Sequence, residues 1–191
     1  MPHWTEVFGF LTGASCVALL VRQNIWNWPL GIANNLTFIV LFNRTGLYAD
    51  VGLQVFYIAI SVYGWWHWLH GGRDHGALTV SRVRPGTALL LAATVTASTA
   101  LLTFILRRYT NSTVPVLDSL ITSLSLVAQF MMTRKWIENW PVWILANCLS
   151  VGLLIFKGLY VTSLLYVVYQ GLCLMGWKEW RAALRPNGAV A

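Results

Sequence analysis

Three side chains in the second half of the chain have the spacing of one helix face. Trp140, Trp143 and Asn147 stand at positions i, i+3 and i+7, so a helix aligns them along one side. An indole ring stacks on a flat heterocycle, and a cationic heterocycle adds about 0.5–2 kcal/mol of cation–π attraction. The asparagine amide offers both a donor and an acceptor to a carboxamide or a sugar hydroxyl. This face therefore predicts a binding site for a small aromatic ligand.

Two longer stripes of polar and aromatic side chains repeat at i, i+3, i+7 and i+11. They consist of Gln54, Tyr57, Ser61 and Trp65, and of Tyr166, Tyr169, Cys173 and Trp177. We expect both stripes to face a central pathway. Asn35 is a further amide inside an apolar run, where polar groups are costly and tend to be functional.

Each of these side chains also has an ordinary structural interpretation. Trp140 could belong to the belt of aromatic residues at the membrane surface. The two asparagines, Asn35 and Asn147, could bond neighbouring helices instead of a ligand, a bond worth about 0.6 kcal/mol. The tyrosines Tyr57 and Tyr169 could be packing residues with hydrogen-bonded hydroxyls.

The composition indicates a lipid environment for these helices. Of the 191 residues, 57% are apolar or aromatic and only 10% are charged, whereas a soluble domain carries about 25% charged residues. The sequence therefore argues against a soluble globular enzyme. The net charge is +7, but the basic residues are scattered between apolar runs, so we expect no nucleic acid partner.

The charged residues separate seven apolar segments, each near the length of about 20 residues that spans a bilayer. They cover residues 7–21, 28–42, 51–69, 85–106, 115–133, 140–156 and 158–177. Nine of the 13 Lys and Arg residues lie in the loops and the tail on one side, and four lie on the other. Because basic loops stay in the cytoplasm, we expect the N-terminus outside and the C-terminus inside.

A shift of 112 positions superposes two stretches of the chain without a gap. Asn-Trp-Pro at 27–29 falls on 139–141, and Gly-Trp at 64–65 falls on 176–177. The shift maps segments one to three onto five to seven and leaves segment four as a linker. The prediction is an all-α integral membrane protein with two parallel three-helix repeats, a 3+1+3 arrangement. The predicted divisions are 1–70, 71–108, 109–182 and 183–191, for the first repeat, the loop with the linker helix, the second repeat and a cytoplasmic tail.

Several of these motifs carry a family resemblance. They are Asn-Trp-Pro-x-Trp at 139–143 followed by Asn147, the turn Phe-Lys-Gly-Leu-Tyr at 156–160, and the run from Trp28 to Gly64. Over residues 20–182 the chain resembles the PnuC vitamin transporters. The resemblance implies a SWEET-like fold, a homotrimer and a bacterial inner membrane. It also implies facilitated diffusion of nicotinamide riboside, followed by trapping through a cytosolic kinase.

The same resemblance implies roles for individual side chains. Trp140 and Trp143 match a Trp-x-x-Trp motif that contributes to the family's substrate site, and Gln54 resembles a substrate-contacting glutamine. Gly31 replaces the second tryptophan in the first repeat, so we expect an asymmetric pocket. The full set of predicted site residues is Trp143, Asn147, Gln54, Trp140, Asn35, Tyr57, Tyr169 and Tyr166.

Alternatives to a nicotinamide riboside transporter remain open on sequence alone. Thiamine also has a cationic aromatic ring, and riboflavin is a third candidate substrate. A seven-helix sensor or scaffold that binds a ligand without transport is a hypothesis of another class, although such a protein has no need of the repeat. The sequence shows no catalytic constellation and no metal-ligand spacing, so we expect neither an enzyme nor a cofactor.

Overall fold

A computed structural model describes residues 3–44, 48–110 and 113–184. The described residues form seven α-helices, and a short 3-10 turn at Arg73–His75 follows the third. The helices are α1 (His3–Val21), α2 (Asn27–Arg44), α3 (Tyr48–His70), α4 (Pro85–Tyr109), α5 (Pro115–Thr133), α6 (Asn139–Phe156) and α7 (Tyr160–Ala183). The predicted all-α class with seven helices is confirmed.

The predicted segments agree with the helices at most limits, but α1 begins four residues earlier than predicted, α3 begins three residues earlier, α4 ends three residues later, and α7 is shifted at both ends. α5 has the predicted limits, whereas α7 begins at Tyr160 instead of Gly158. Gly158 has a φ of +72°, the left-handed conformation that glycine adopts without a steric cost. The Leu159 N–H donates to the Leu154 carbonyl at 2.8 Å, which closes α6 as a Schellman motif. Gly158 therefore ends α6.

Contacts divide the chain into two compact units. One consists of Met1–Thr79 with Thr133–Lys135, and the other of Val80–Met132 with Trp136–Ala191. In the first unit α1 packs on α2 and α2 on α3, and in the second α6 packs on α7.

The first unit has an indole ring at its centre. Trp28 is 2% exposed, and the ring of Trp68 meets it edge to face, with 5.3 Å between centroids and an interplanar angle of 89°. Gly64 lies so close that a Cβ atom there would overlap the six-membered ring of Trp28. The glycine therefore allows α3 to approach the tryptophan of α2.

The second unit repeats this arrangement 112 positions later. Trp140 is 1% exposed, and its ring meets that of Trp180 at 5.4 Å and 90°. A Cβ atom on Gly176 would overlap the ring of Trp140. The sequence repeat thus recurs as the packing geometry inside each unit.

The turns before these tryptophans also share one construction. Gln23 and Lys135, which are 112 positions apart, adopt left-handed φ angles of 53° and 49°, at a cost of about 1–2 kcal/mol each. The side-chain amide of Asn27 donates to the carbonyl three residues earlier at 2.7 Å. Asn139 makes the same bond at 2.6 Å. Each amide side chain thereby satisfies a backbone carbonyl of its turn.

Large apolar side chains cover the outside of the helices. No residue of α4 is buried, and Leu89 in this helix is 75% exposed. α4, α5 and α6 are long and apolar enough to cross a membrane. The hydroxyls of Thr94 and Ser98 donate to carbonyls one turn back, which satisfies them without water. The surface of α4 suits lipid.

We expect Gly64→Ala and Gly176→Ala each to destabilise the protein by about 1–3 kcal/mol, because the added methyl group overlaps a buried indole. The measurement is the melting temperature of the detergent-solubilised protein, followed by circular dichroism.

Matched controls exist on the same two helices. Gly52→Ala in α3 and Gly171→Ala in α7 place the methyl group in open space. Both should leave the melting temperature unchanged or raise it, since alanine favours a helix by about 0.5–1 kcal/mol. Equal melting temperatures for Gly176→Ala and Gly171→Ala would contradict the packing described above.

Candidate functional site

The three predicted site residues of α6 differ in how the structure uses them. The Trp140 ring packs on Trp180 inside its unit, so its predicted contact with a substrate stays a prediction. Trp143 is half-buried, and its shielded Nε1–H group finds no hydrogen-bond partner among the described residues. Asn147 is 6% exposed. Trp143 therefore combines a partly exposed side chain with an unpaired donor.

Asn147 connects α6 to the polar stripe of α7. Its Nδ2 group donates to the Cys173 Sγ atom at 3.5 Å, and Cys173 is itself buried. A thiol is a weak acceptor. The bond therefore orients the Asn147 amide, and breaking it costs little free energy. One predicted site residue of α6 and one member of the α7 stripe are thus brought together.

Two tyrosines of α7 form a pair about one turn before Cys173 on the same helix. Tyr166 and Tyr169 meet edge to face, with 6.0 Å between centroids and an angle of 88°, and both are half-buried. Next to them, Gln170 donates from Nε2 to the Cys148 Sγ atom at 3.4 Å. Gln170 is not among the predicted site residues, because the repeat pairs it with the apolar Ile58. Its helical spacing of four from Tyr166 was the available signal.

The remaining predicted site residues lie in the first unit. Gln54 and Tyr57 are half-buried on α3, one turn apart, and Asn35 is half-buried on α2. The neighbouring Asn34 has a structural role, because the Thr12 hydroxyl of α1 donates to its Oδ1 atom at 2.9 Å.

Lys135 is a buried cation, and its place in the sequence predicted only the orientation of the chain in the membrane. It is 7% exposed, and its Nζ atom donates to the Leu78 carbonyl at 2.8 Å. The same Nζ atom lies 4.3 Å from the centroid of the Trp68 ring. Burial lowers the pKa of Lys135 from 10.5 to about 8, because desolvation disfavours the charged form.

In the second unit, the loop before α4 is bonded to the turn before α6. The Ile137 N–H donates to the Ser81 carbonyl at 3.0 Å, and the Val83 N–H donates to the Glu138 Oε2 atom at 3.0 Å. Glu138 thereby positions the residues that lead into α4. This contact was missed because it joins residues 55 positions apart.

The sequence comparison decides the family. The family model described as "Nicotinamide mononucleotide transporter" matches residues 3–182. The chain belongs to this transporter family. It is a multi-pass membrane protein and not an enzyme, and the predicted resemblance to PnuC is confirmed.

Two curated relatives of this family member are transporters of different vitamins. The nicotinamide riboside transporter PnuC of Escherichia coli (strain K12) is 29% identical over 98% of this chain and 89% of its own length. The riboflavin/roseoflavin transporter RibM of Streptomyces davaonensis is also 29% identical, over 93% of this chain and 84% of its own length.

A solved structure shares the fold of this family member. The crystal structure of the vitamin B3 transporter PnuC matches 95% of this chain and 82% of its own chain, with a TM-score of 0.73 and 23% identity. At this identity the likeness shows the fold alone.

We expect the folded protein to gain stability between pH 8 and pH 10 through Lys135. The folded state has the lower pKa, so the unfolded state binds more protons in this window and rising pH favours folding. The penalty of the buried charge is complete below pH 8 and disappears near pH 10.5. The free energy of unfolding of the unmodified protein, relative to that of Lys135→Met, should rise by about 1–3 kcal/mol across the window, and melting temperatures measured at each pH check the direction of this change.

The exposed Lys178 provides the control for this titration. Lys178→Met should follow the pH dependence of the unmodified protein. If Lys135→Met follows it as well, Lys135 is not the titrating group.

Proposed function

We propose nicotinamide riboside as the substrate of this transporter. The observation that carries the proposal is the α6 face, where the half-buried Trp143 lies one turn from Asn147. A pyridinium ring gains cation–π attraction from the indole, and a carboxamide pairs with the donor and the acceptor of an asparagine amide. The E. coli relative bears this substrate in its name.

The other predicted residues are proposed as further contacts. Gln54 and Asn35 suit the carboxamide or the ribose hydroxyls, as both are amides. Tyr57, Tyr166 and Tyr169 are proposed to contact the rings through their aromatic faces, and Trp140 to support Trp143 from within its unit.

Riboflavin is the second candidate substrate, because RibM matches this chain with the same identity as the E. coli relative. Its flat ring system also stacks on an indole but is uncharged, so it lacks the cation–π contribution. Thiamine keeps the positive charge and has only its ring chemistry in its favour. Family membership sets aside the sensor or scaffold hypothesis.

We expect Trp143→Ala and Asn147→Ala each to weaken the binding of nicotinamide riboside at least about tenfold, which corresponds to 1.4 kcal/mol. Isothermal titration calorimetry of the purified protein with nicotinamide riboside, thiamine and riboflavin measures the affinities. Leu145→Ala is the matched control on α6, because Leu145 is an exposed apolar residue. A Trp143→Ala variant that is folded and binds normally would place the site elsewhere.

We further propose facilitated diffusion without a coupling ion. Every acidic residue of the sequence lies in a loop or near a helix end, whereas ion-coupled transport commonly uses a carboxylate or a histidine at membrane depth. Asp118, in the first turn of α5, forms an ion pair with Lys157 at 3.6 Å. Net uptake then requires a cytosolic kinase that phosphorylates the vitamin and traps it.

In liposomes that contain no kinase, labelled nicotinamide riboside should reach equal concentrations on both sides. A sodium or proton gradient should leave that end point unchanged. Accumulation above the external concentration under either gradient would contradict facilitated diffusion, while the binding results would stand.

We propose the 3+1+3 arrangement of parallel repeats, with its divisions at 1–70, 71–108, 109–182 and 183–191, for the organisation of the chain. The repeated Trp–Trp–Gly packing supports it. Assembly as a homotrimer in the bacterial inner membrane follows the family resemblance, and light scattering of the purified protein tests it.

The distribution of basic residues supports an outer N-terminus and a cytoplasmic C-terminus. A reporter that works only in the periplasm, fused after Ala191, should therefore be inactive, and its activity would contradict this topology.

A further inference from the structure

Two amide-to-thiol hydrogen bonds cross between α6 and α7. The Asn147 amide of α6 donates to Cys173 of α7 at 3.5 Å, and the Gln170 amide of α7 donates to Cys148 of α6 at 3.4 Å. In both pairs the NH₂ group faces the thiol. The bond between Gln170 and Cys148 therefore turns the Gln170 carbonyl oxygen away from the sulfur.

The Gln170 carbonyl oxygen is an acceptor without a donor. Its Oε1 atom is shielded from solvent and has no hydrogen-bond partner within the part of the chain that the structure describes. Leaving a buried polar group unpaired costs about 1–3 kcal/mol, and such groups are rare in native proteins. A donor group of a bound ligand would pair with this acceptor and remove the cost.

The position of Gln170 is next to the proposed site. It lies four residues after Tyr166 and three before Cys173 on α7, so the three share one helix face. Cys173 in turn holds Asn147. The equivalent position in the first repeat is Ile58, so the packing of a repeat does not itself require an amide here.

We infer that Gln170 is a specificity-determining residue whose Oε1 atom accepts a hydrogen bond from a donor group of the substrate. The donor is an amide N–H or a sugar hydroxyl. A ligand without that donor leaves Oε1 unpaired, and binding sites discriminate strongly on this basis. The inference rests on the proposed function.

The experiment compares the unmodified protein with Gln170→Leu and Gln170→Met, which remove the acceptor and keep most of the volume. Three ligands are titrated calorimetrically: nicotinamide riboside, nicotinic acid riboside without the amide N–H, and a nicotinamide analogue without sugar hydroxyls. We expect both variants to bind nicotinamide riboside about tenfold more weakly, as for a lost hydrogen bond of about 1.4 kcal/mol.

The other two ligands identify the donor. If the donor is the amide, the variants bind nicotinic acid riboside as well as the unmodified protein does. If the donor is a hydroxyl, they bind the analogue without sugar hydroxyls equally well. An equal loss for all three ligands indicates a packing role and overturns the inference, as does unchanged affinity for nicotinamide riboside.

Two controls separate this inference from the proposed function. Val167→Ala, at an exposed position of α7, should leave all affinities unchanged. The titration of the unmodified protein with nicotinamide riboside tests the proposed substrate by itself. The difference between ligands tests Gln170.

Discussion

The close approach of a glycine to an indole ring is the contact on which each unit depends. Inside a bilayer, helices gain little from hiding apolar surface, because lipid is equally apolar, so close packing stabilises their association. Gly64 lets α3 reach Trp28, and Gly176 lets α7 reach Trp140. The second indole of each pair then packs edge to face, a geometry worth about 0.5–1.5 kcal/mol beyond the buried area.

This packing encloses Trp140 but not Trp143, the next residue of the α6 face that is proposed to bind the substrate. Trp140 is enclosed, whereas Trp143 is only half-buried, and Asn147 is held by a weak bond to Cys173. Two residues near Asn147 differ between the repeats. Gly31 is the counterpart of Trp143, and Ile58 is the counterpart of Gln170. The tryptophan packing therefore recurs in both units, whereas two side chains proposed to bind the substrate, Trp143 and Gln170, have no counterpart of the same type in the first repeat.

A difference in one turn produces a further asymmetry. Gln23 and Lys135 occupy equivalent left-handed positions, but only a lysine can place an ammonium group on the Trp68 ring. The Leu78 carbonyl and the aromatic face stabilise a cation that has lost most of its water. This contact lies within the first unit, where Lys135 packs on one of the paired tryptophans.

The sequence by itself determined the number of helices, most of their limits and the 112-residue repeat, because apolar length and helical period are local properties of a chain. It also identified the family, and it predicted the α6 face with Trp143 and Asn147 as a binding site. Only the tertiary structure separated the packed Trp140 from the more accessible Trp143, and it revealed Gln170 and Lys135 as residues with unusual surroundings. Their roles depend on partners such as Cys148 and Leu78, and no local pattern specifies which distant residue comes within a few ångströms.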